Sequence, residues 1–180
     1  TWNYNKENRI CVDYDQMSPH LIQALVATED VRFYEHSGID FIALGRAVVK
    51  RGLMGQKSAG GGSTITQQLA KQLFTEKAHS VAERLMQKPI EWVIAVQLER
   101  TYTKDEIIAL YLNYFDFLHN AVGIKTASNT YFGKDPKNVS VNEAATLIGL
   151  CKNPSYFNPV RHPERCVERR NVVLAQMEKA

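Results

Sequence analysis

Residues 24–46 read ALVATEDVRFYEHSGIDFIALGR, and the spacing inside this stretch decides how the chain is built. Just ahead of it, Ser18-Pro19 opens a helix, because the hydroxyl caps free amides and proline suits the first helical position. At helical spacing, Ile22, Val26, Glu29 and Phe33 fall on one face. Glu29 is therefore expected in an apolar stripe, where loss of water raises a carboxyl pKa and makes the group a useful proton acceptor near neutrality. The alternative open at this level is that Glu29 lies at the stripe's edge and pairs with Arg32 or Arg46.

Following the chain outward, His36 and Gly38 mark a turn, and Asp40 is a cap for a second helix over residues 41–51. Phe41, Leu44 and Val48 share a face, which Ile42, Val49, Leu53 and Met54 widen and Arg46, Lys50 and Arg51 flank with positive charge. That pattern suits either a core helix or one lying at a bilayer surface. Residues 56–62, QKSAGGG, read as a mobile loop because adjacent glycines have nothing to pack. The loop runs into a helix start at which Thr64 and Gln67 are spaced as a capping box. Ile65, Leu69 and Leu73 form its buried side, and Thr64, Gln67, Gln68 and Lys71 the other. Free N–H groups, a partial positive charge and a lysine on the same face suit a phosphate or diphosphate, with a plain capped surface helix as the alternative. The nucleotide pattern GxxxxGK[ST] is absent.

A further helix begins near Ser80, and Pro89 is expected to kink it or to start a new one. Residues 90–98, IEWVIAVQL, are apolar nearly all round, which predicts a central buried helix with Glu91 as its one charge. Such a carboxylate must be neutral, paired (Lys88 is one choice) or turned to a polar cleft. Thr103 and Glu106 form a second capping box for a helix to Asn113, followed by a loop at 114–120 with exposed aromatics. Helices are expected over 121–131, ending at Gly133, then from Ser140 to Lys152, and finally after His162-Pro163, with Cys166, Arg170, Val173, Leu174 and Met177 in helical rhythm. A strand-like run at 10–14 is the main exception in a chain of seven or eight helices.

With 180 residues the chain is long enough for one domain with a sizeable core. A net charge of +3 with scattered basic residues argues against a nucleic-acid binder. Three cysteines, Cys11, Cys151 and Cys166, match no metal pattern and read as small hydrophobes, a Cys151–Cys166 pair remaining open if the chain is exported. No run approaches the roughly 18–20 consecutive apolar residues of a membrane span, and the chain, which starts at Thr1, reads as a domain excised from a longer one.

Five motifs in order resemble the family 51 peptidoglycan glycosyltransferases, the polymerising domains of class A penicillin-binding proteins and monofunctional transglycosylases. They are Glu29-Asp30-x-x-Phe33-x-x-His36-x-Gly38-x-Asp40, Gly62-Ser63-Thr64-x-Thr66-Gln67-Gln68-Leu69-x-Lys71, Lys88-x-x-Glu91, Lys104-x-x-Ile107-x-x-x-Tyr111-Leu112-Asn113, and Gly123-x-x-x-Ala127-x-x-x-Tyr131-Phe132-Gly133-Lys134. The resemblance implies a mostly α fold, with a lysozyme-like helical head lobe and a small apolar membrane-contacting jaw lobe, the latter with its mobile loop at 41–62. It implies an inverting enzyme that polymerises lipid II into glycan strands on the outer, periplasmic face of the cytoplasmic membrane, anchored by an N-terminal transmembrane helix outside this chain.

By position, Glu29 matches the base for the acceptor 4-hydroxyl and Glu91 the second glutamate, which assists departure of the diphosphate directly or through a divalent cation (Mg or Mn). Ser63, Thr64, Gln67, Gln68 and Lys71 match the diphosphate-binding motif, joined by Lys88 and Arg46, while Asp30, His36 and Asn113 support the cleft. No cofactor is obligatory on this reading. The expected partners are lipid II, the growing lipid-linked strand, the membrane surface and phosphoglycolipid inhibitors of the moenomycin type, and no nucleic acid. Gln87 stands where the family usually has arginine, Gln72 where it has asparagine and Val122 where it has an aromatic, and the loop at 114–120 lacks the family's glycine. No Ser-x-x-Lys occurs, so penicillin-binding transpeptidase chemistry is not implied for these residues. A lysozyme-like enzyme that cleaves glycans and a non-catalytic lipid II-binding module are the alternatives.

Overall fold

A computed structural model describes residues 10–52, 62–74 and 80–180. Among these it holds eight α-helices and no strand: α1 (Pro19–Glu29), α2 (Phe41–Gly52), α3 (Ile65–Phe74), α4 (Val81–Thr101), α5 (Lys104–Tyr114), α6 (Ile124–Phe132), α7 (Val141–Lys152) and α8 (Pro163–Lys179). Short 3-10 turns occupy Tyr14–Gln16, Phe33–Glu35 and Pro136–Asn138. The chain divides into two compact units, Thr1–Val31 with Ile108–Ala180, and Arg32–Ile107. The segment expected as a small lobe, 41–62, lies in the second unit; its loop residues 56–61, together with Leu53 and Met54, are outside the described residues. None of the described helices is long and apolar enough to cross a membrane.

In the first unit, α1 packs against α7 and α8. Ser18 caps α1 as expected, accepting from the His20 N–H, and its own hydroxyl donates to the Val139 carbonyl at 3.1 Å. The buried face of α1 is Leu21, Ala24 and Leu25, packed with Leu147, Ile148 and Val173 as part of one core. Ile22 and Val26 are half-buried beside that face, and the predicted stripe through Phe33 does not form. The helix stops at Glu29 because Asp30 leaves helical geometry (φ −159°, ψ 74°), so the spacing cannot be projected further. The strand-like run at 10–14 is irregular instead. Asn113 holds it there, accepting from the Val12 N–H at 3.1 Å and donating to the Val12 carbonyl at 2.8 Å.

The loop after α5 turns inward as well as outward, since Phe117 is fully buried although it was expected to be exposed. Leu118, His119 and Asn120 follow in the left-handed region (φ 66°, 51° and 58°), and a bridge between Asp116 and Val122 closes the turn. Gly123, at φ +86°, then precedes α6, which starts at Ile124, three residues later than expected. The thiols of Cys151 and Cys166 are buried and unpaired with each other, and Cys11 is exposed.

In the second unit, α3 packs on α4, which runs through Pro89 as one helix rather than as two. The segment 90–98 is two-sided. Glu91, Ala95 and Leu98 face inward, whereas Ile90 and Val93 are exposed, Val93 by 71%. A run apolar all round therefore does not mean a helix covered all round. Exposed apolar residues also mark α2, where Phe41 is 71% exposed and Ile42, Val48 and Val49 accompany it.

The two turns make a direct contrast. A Cβ on Gly123 would lie 2.7 Å from the Asn113 carbonyl oxygen, so Gly123→Ala should cost about 2 kcal/mol or more. Leu118→Gly relieves a left-handed leucine and should change stability by less than about 1 kcal/mol, despite the lost side chain. Urea-unfolding midpoints of the two variants check both expectations.

Candidate functional site

Each unit carries part of the expected constellation. In the second unit, Asp40 caps α2 by accepting from the Ile42 and Ala43 N–H groups at 2.9 Å each, which commits one carboxylate oxygen to the helix start. Its other oxygen meets Arg32 Nε at 3.3 Å, and Arg32 also reaches Glu35 at 3.2 Å. Gly38, at φ +94°, lets the intervening turn lie on α4, since a Cβ there would sit 2.9 Å from the Ala95 backbone.

The start of α3 is built on this turn. The Thr64 hydroxyl donates to the Gly38 carbonyl at 2.7 Å and accepts from the Gln67 N–H at 3.1 Å, while the Gln67 carboxamide oxygen accepts from the Thr64 N–H at 3.4 Å. Thr64 and Gln67 are both buried, so these two residues of the expected diphosphate set serve the helix start itself. Gln68 is half-buried and Lys71 exposed further along α3, and Arg46 is exposed on α2.

Ser63, Lys88 and Glu91 do converge. Lys88 Nζ lies 3.1 Å from the Ser63 hydroxyl oxygen and 2.9 Å from Glu91 Oε2. The Glu91 side chain is only 1% exposed, so the lone charge of the apolar run is buried and ion-paired one turn away on its own helix. Removing water from a carboxylate is costly, and the ammonium offsets that cost while remaining about one-third exposed itself. The arrangement places a hydroxyl donor and a half-exposed cation beside the start of α3, which is chemistry suited to a phosphate oxygen. It suits a bound divalent cation poorly. Lys88 already occupies Glu91 Oε2, and among the described residues no group of three His, Cys, Asp or Glu side chains converges.

Around this pair lies a network that spacing alone did not reveal. Lys104 Nζ donates to the His36 carbonyl at 2.7 Å and to Glu99 Oε1 at 2.8 Å, and stands 4.3 Å over the Phe33 ring. The Thr66 hydroxyl donates to the same Glu99 oxygen at 2.6 Å. His36, whose Nδ1 accepts from the Gly38 N–H, therefore supports the site through its backbone as well as its ring.

In the first unit, Glu29 ends α1 and its Oε1 lies 3.5 Å from Arg169 Nη2. Arg169 was not among the arginines considered for Glu29 from the sequence. Asp30 beside Glu29 is buried. On α8 the inward residues are Cys166, Arg169 and Val173, with Arg170 half-exposed and turned to Asn171, so the rhythm read from the sequence holds at Cys166 and Val173 but took Arg170 in place of Arg169. Tyr111, fully buried, and Cys151 complete the surroundings. Burial pushes the Tyr111 phenol well up, helped by Cys151 and the charge of Glu29. Burial and Glu29 likewise push the Cys151 thiol well up, against a hydrogen bond with Tyr111 and the charge of Arg169. The sequence signal for Arg169 was its place three residues after one buried position and four before another. Nothing local marked Glu99, Tyr111 or Cys151 as neighbours of the site residues.

A family model described as transglycosylase matches residues 1–178. Penicillin-binding protein 1A of Escherichia coli is 44% identical over 174 residues, 97% of this chain and 20% of its own length. Penicillin-binding protein 1F of Bacillus subtilis is 43% identical over 171 residues, 95% of this chain and 23% of its own. Penicillin-binding protein 1A of Aquifex aeolicus is 43% identical over 172 residues, with the same two coverages of 95% and 23%. The chain thus spans less than a quarter of the length of these curated relatives.

The buried phenol and thiol make stability depend on alkaline pH. Folding holds both protons, whereas the unfolded chain releases them near the ordinary values of 9.0 for the thiol and 10.0 for the phenol. Stability from these groups is therefore complete below about pH 9 and falls above it by up to about 1.4 kcal/mol per pH unit per group. Denaturant titrations from pH 7 to 11 should show the fall, and Tyr111→Phe with Cys151→Ala should flatten it.

Proposed function

The chain belongs to the transglycosylase family, and from that premise we propose that it polymerises lipid II into peptidoglycan glycan strands by inverting transfer. The observation that carries this reading is Lys88, held between the Ser63 hydroxyl and the buried Glu91 at the start of α3. A lipid-linked donor leaves as a diphosphate, and a half-exposed cation with a hydroxyl donor stabilises the charge that develops on it.

In the proposed step, the Glu29 carboxylate takes the proton of the acceptor 4-hydroxyl as that oxygen bonds to the donor's anomeric carbon. The bond from that carbon to the diphosphate oxygen breaks on the opposite side, and its electron pair leaves with the diphosphate. Ser63 and Lys88 receive the leaving group's oxygens. Glu91 fixes Lys88 rather than transferring a proton, and Gln68, Lys71 and Arg46 add longer-range contacts to the substrate. Thr64, Gln67, Asp30, His36 and Asn113 hold the backbone that carries these groups. No step is routed through a divalent cation, since Lys88 already supplies positive charge beside Glu91.

The proposed setting is the outer, periplasmic face of the cytoplasmic membrane. The exposed residues Phe41, Ile42, Val48 and Val49, with Arg46 on the same helix, suit a surface where acyl chains meet headgroups. A phosphoglycolipid of the moenomycin type carries the same phosphate and lipid chemistry and is the expected inhibitor.

The test is an assay with lipid II in detergent. The wild type should form glycan polymer, and Glu29→Gln should lower the rate by about 10²–10⁴-fold in protein that urea unfolding shows to be folded, at a lower midpoint because Arg169 loses its charge partner. Polymer made at the wild-type rate by Glu29→Gln would remove the base from the scheme. Shortening of preformed strands without lipid II consumption would replace polymerisation by glycan cleavage, and inhibitor binding without any turnover would leave only a binding module.

A further inference from the structure

We infer that Arg169 is a positioning residue for the Glu29 carboxylate. The inference rests on the reading of Glu29 as the base. Glu29 is the last residue of α1, and the backbone leaves helical geometry immediately after it. A base must be held in line with the proton it takes. Arg169 Nη2, 3.5 Å from Glu29 Oε1, supplies a hold from α8.

Arg169 is not placed as a surface arginine. Its side chain is 10% exposed, in the inward row between Cys166 and Val173, where an aliphatic residue would pack without loss of hydration. Room for its stem comes from Gly149 of α7, where a Cβ would approach Arg169 Cγ to 3.1 Å. The guanidinium carbon lies 5.9 Å from the centre of the Phe157 ring. Among the described residues, its buried Nε finds no hydrogen-bond acceptor.

A buried guanidinium with an unmet donor is a poor way to gain stability, because apolar side chains of similar volume in place of the whole Glu29–Arg169 pair would serve as well or better. What an apolar side chain cannot do is orient a carboxylate. The charge of Glu29 acts on the Tyr111 phenol and the Cys151 thiol, and Arg169 brings a positive charge to the same carboxylate.

The experiment compares Arg169→Met and Arg169→Lys with the wild type in initial-rate polymerisation of lipid II, alone and in the Glu29→Gln background. Arg169→Met should lower kcat about 10²-fold with KM for lipid II within about twofold, with a lower urea midpoint because Glu29 loses its cation. Arg169→Lys keeps the charge and the stem but not the planar fork. It should lose about 10-fold in kcat at unchanged KM, and it decides the matter if the methionine variant does not fold. In the Glu29→Gln background, Arg169→Met should cause no further loss, since a residue acting through Glu29 has nothing left to position. An unchanged kcat, a rise in KM at unchanged kcat, or the same fold-loss in both backgrounds would each overturn the inference. If the wild type makes no polymer, or Glu29→Gln polymerises normally, it is the assignment of the base that fails, whatever the Arg169 variants do.

Discussion

A carboxylate taken out of water gains from a cation beside it, and four acids near the functional residues of this small helical protein show that constraint. Asp40 meets Arg32, Glu91 meets Lys88, Glu99 meets Lys104 and Glu29 meets Arg169. In each case the acid is the more buried partner or nearly so, and the cation joins it to another part of the same unit. Ion pairs of this kind add little net stability over apolar packing, but breaking one strands a charge and costs several kcal/mol, about 3–5. They therefore act as fixed points. Once set, they determine where the neighbouring loops and helix starts lie.

The second unit shows how far this reaches. Lys104 ties the His36 carbonyl to Glu99, Glu99 accepts from Thr66 of α3, and Thr64 of the same helix start donates to Gly38. Residues from three separated motifs are thus joined by hydrogen bonds that involve no ligand. This divides the motif residues by task. Thr64 and Gln67 serve the start of α3, and Ser63 and Lys88 present donors beside it. Asn113, expected to support a cleft, spends its amide on both backbone groups of Val12.

The apolar surface obeys a different constraint. α2 and α4 each keep large hydrophobic side chains exposed, and on α4 the opposite face packs inward through Glu91, Ala95 and Leu98. For α4 this overturns the expectation of a covered helix, because composition counts apolar residues but not the neighbours available to cover them. Periodicity failed at Glu29 for a related reason. The helix ended there, and the next buried aromatic, Phe33, belongs to a separate turn.

The helix count and most helix starts were legible in the sequence because the forces that set them act over three or four residues. Ser18-Pro19, Asp40, Thr64 with Gln67, Thr103 with Glu106, and Ser140 with Glu143 each satisfy amides next to themselves, so their meaning travels with the local string. The pairing of Lys88 with Glu91 was also legible, being one helical turn apart. The partner of Glu29 was not. Arg169 reaches it only because α1 and α8 pack together, and whether Arg169 or Arg170 points inward depends on the rotation of α8 in that packing. Local chemistry named the elements and the charged residues. Long-range packing, which no short window of sequence contains, chose which charges were to meet.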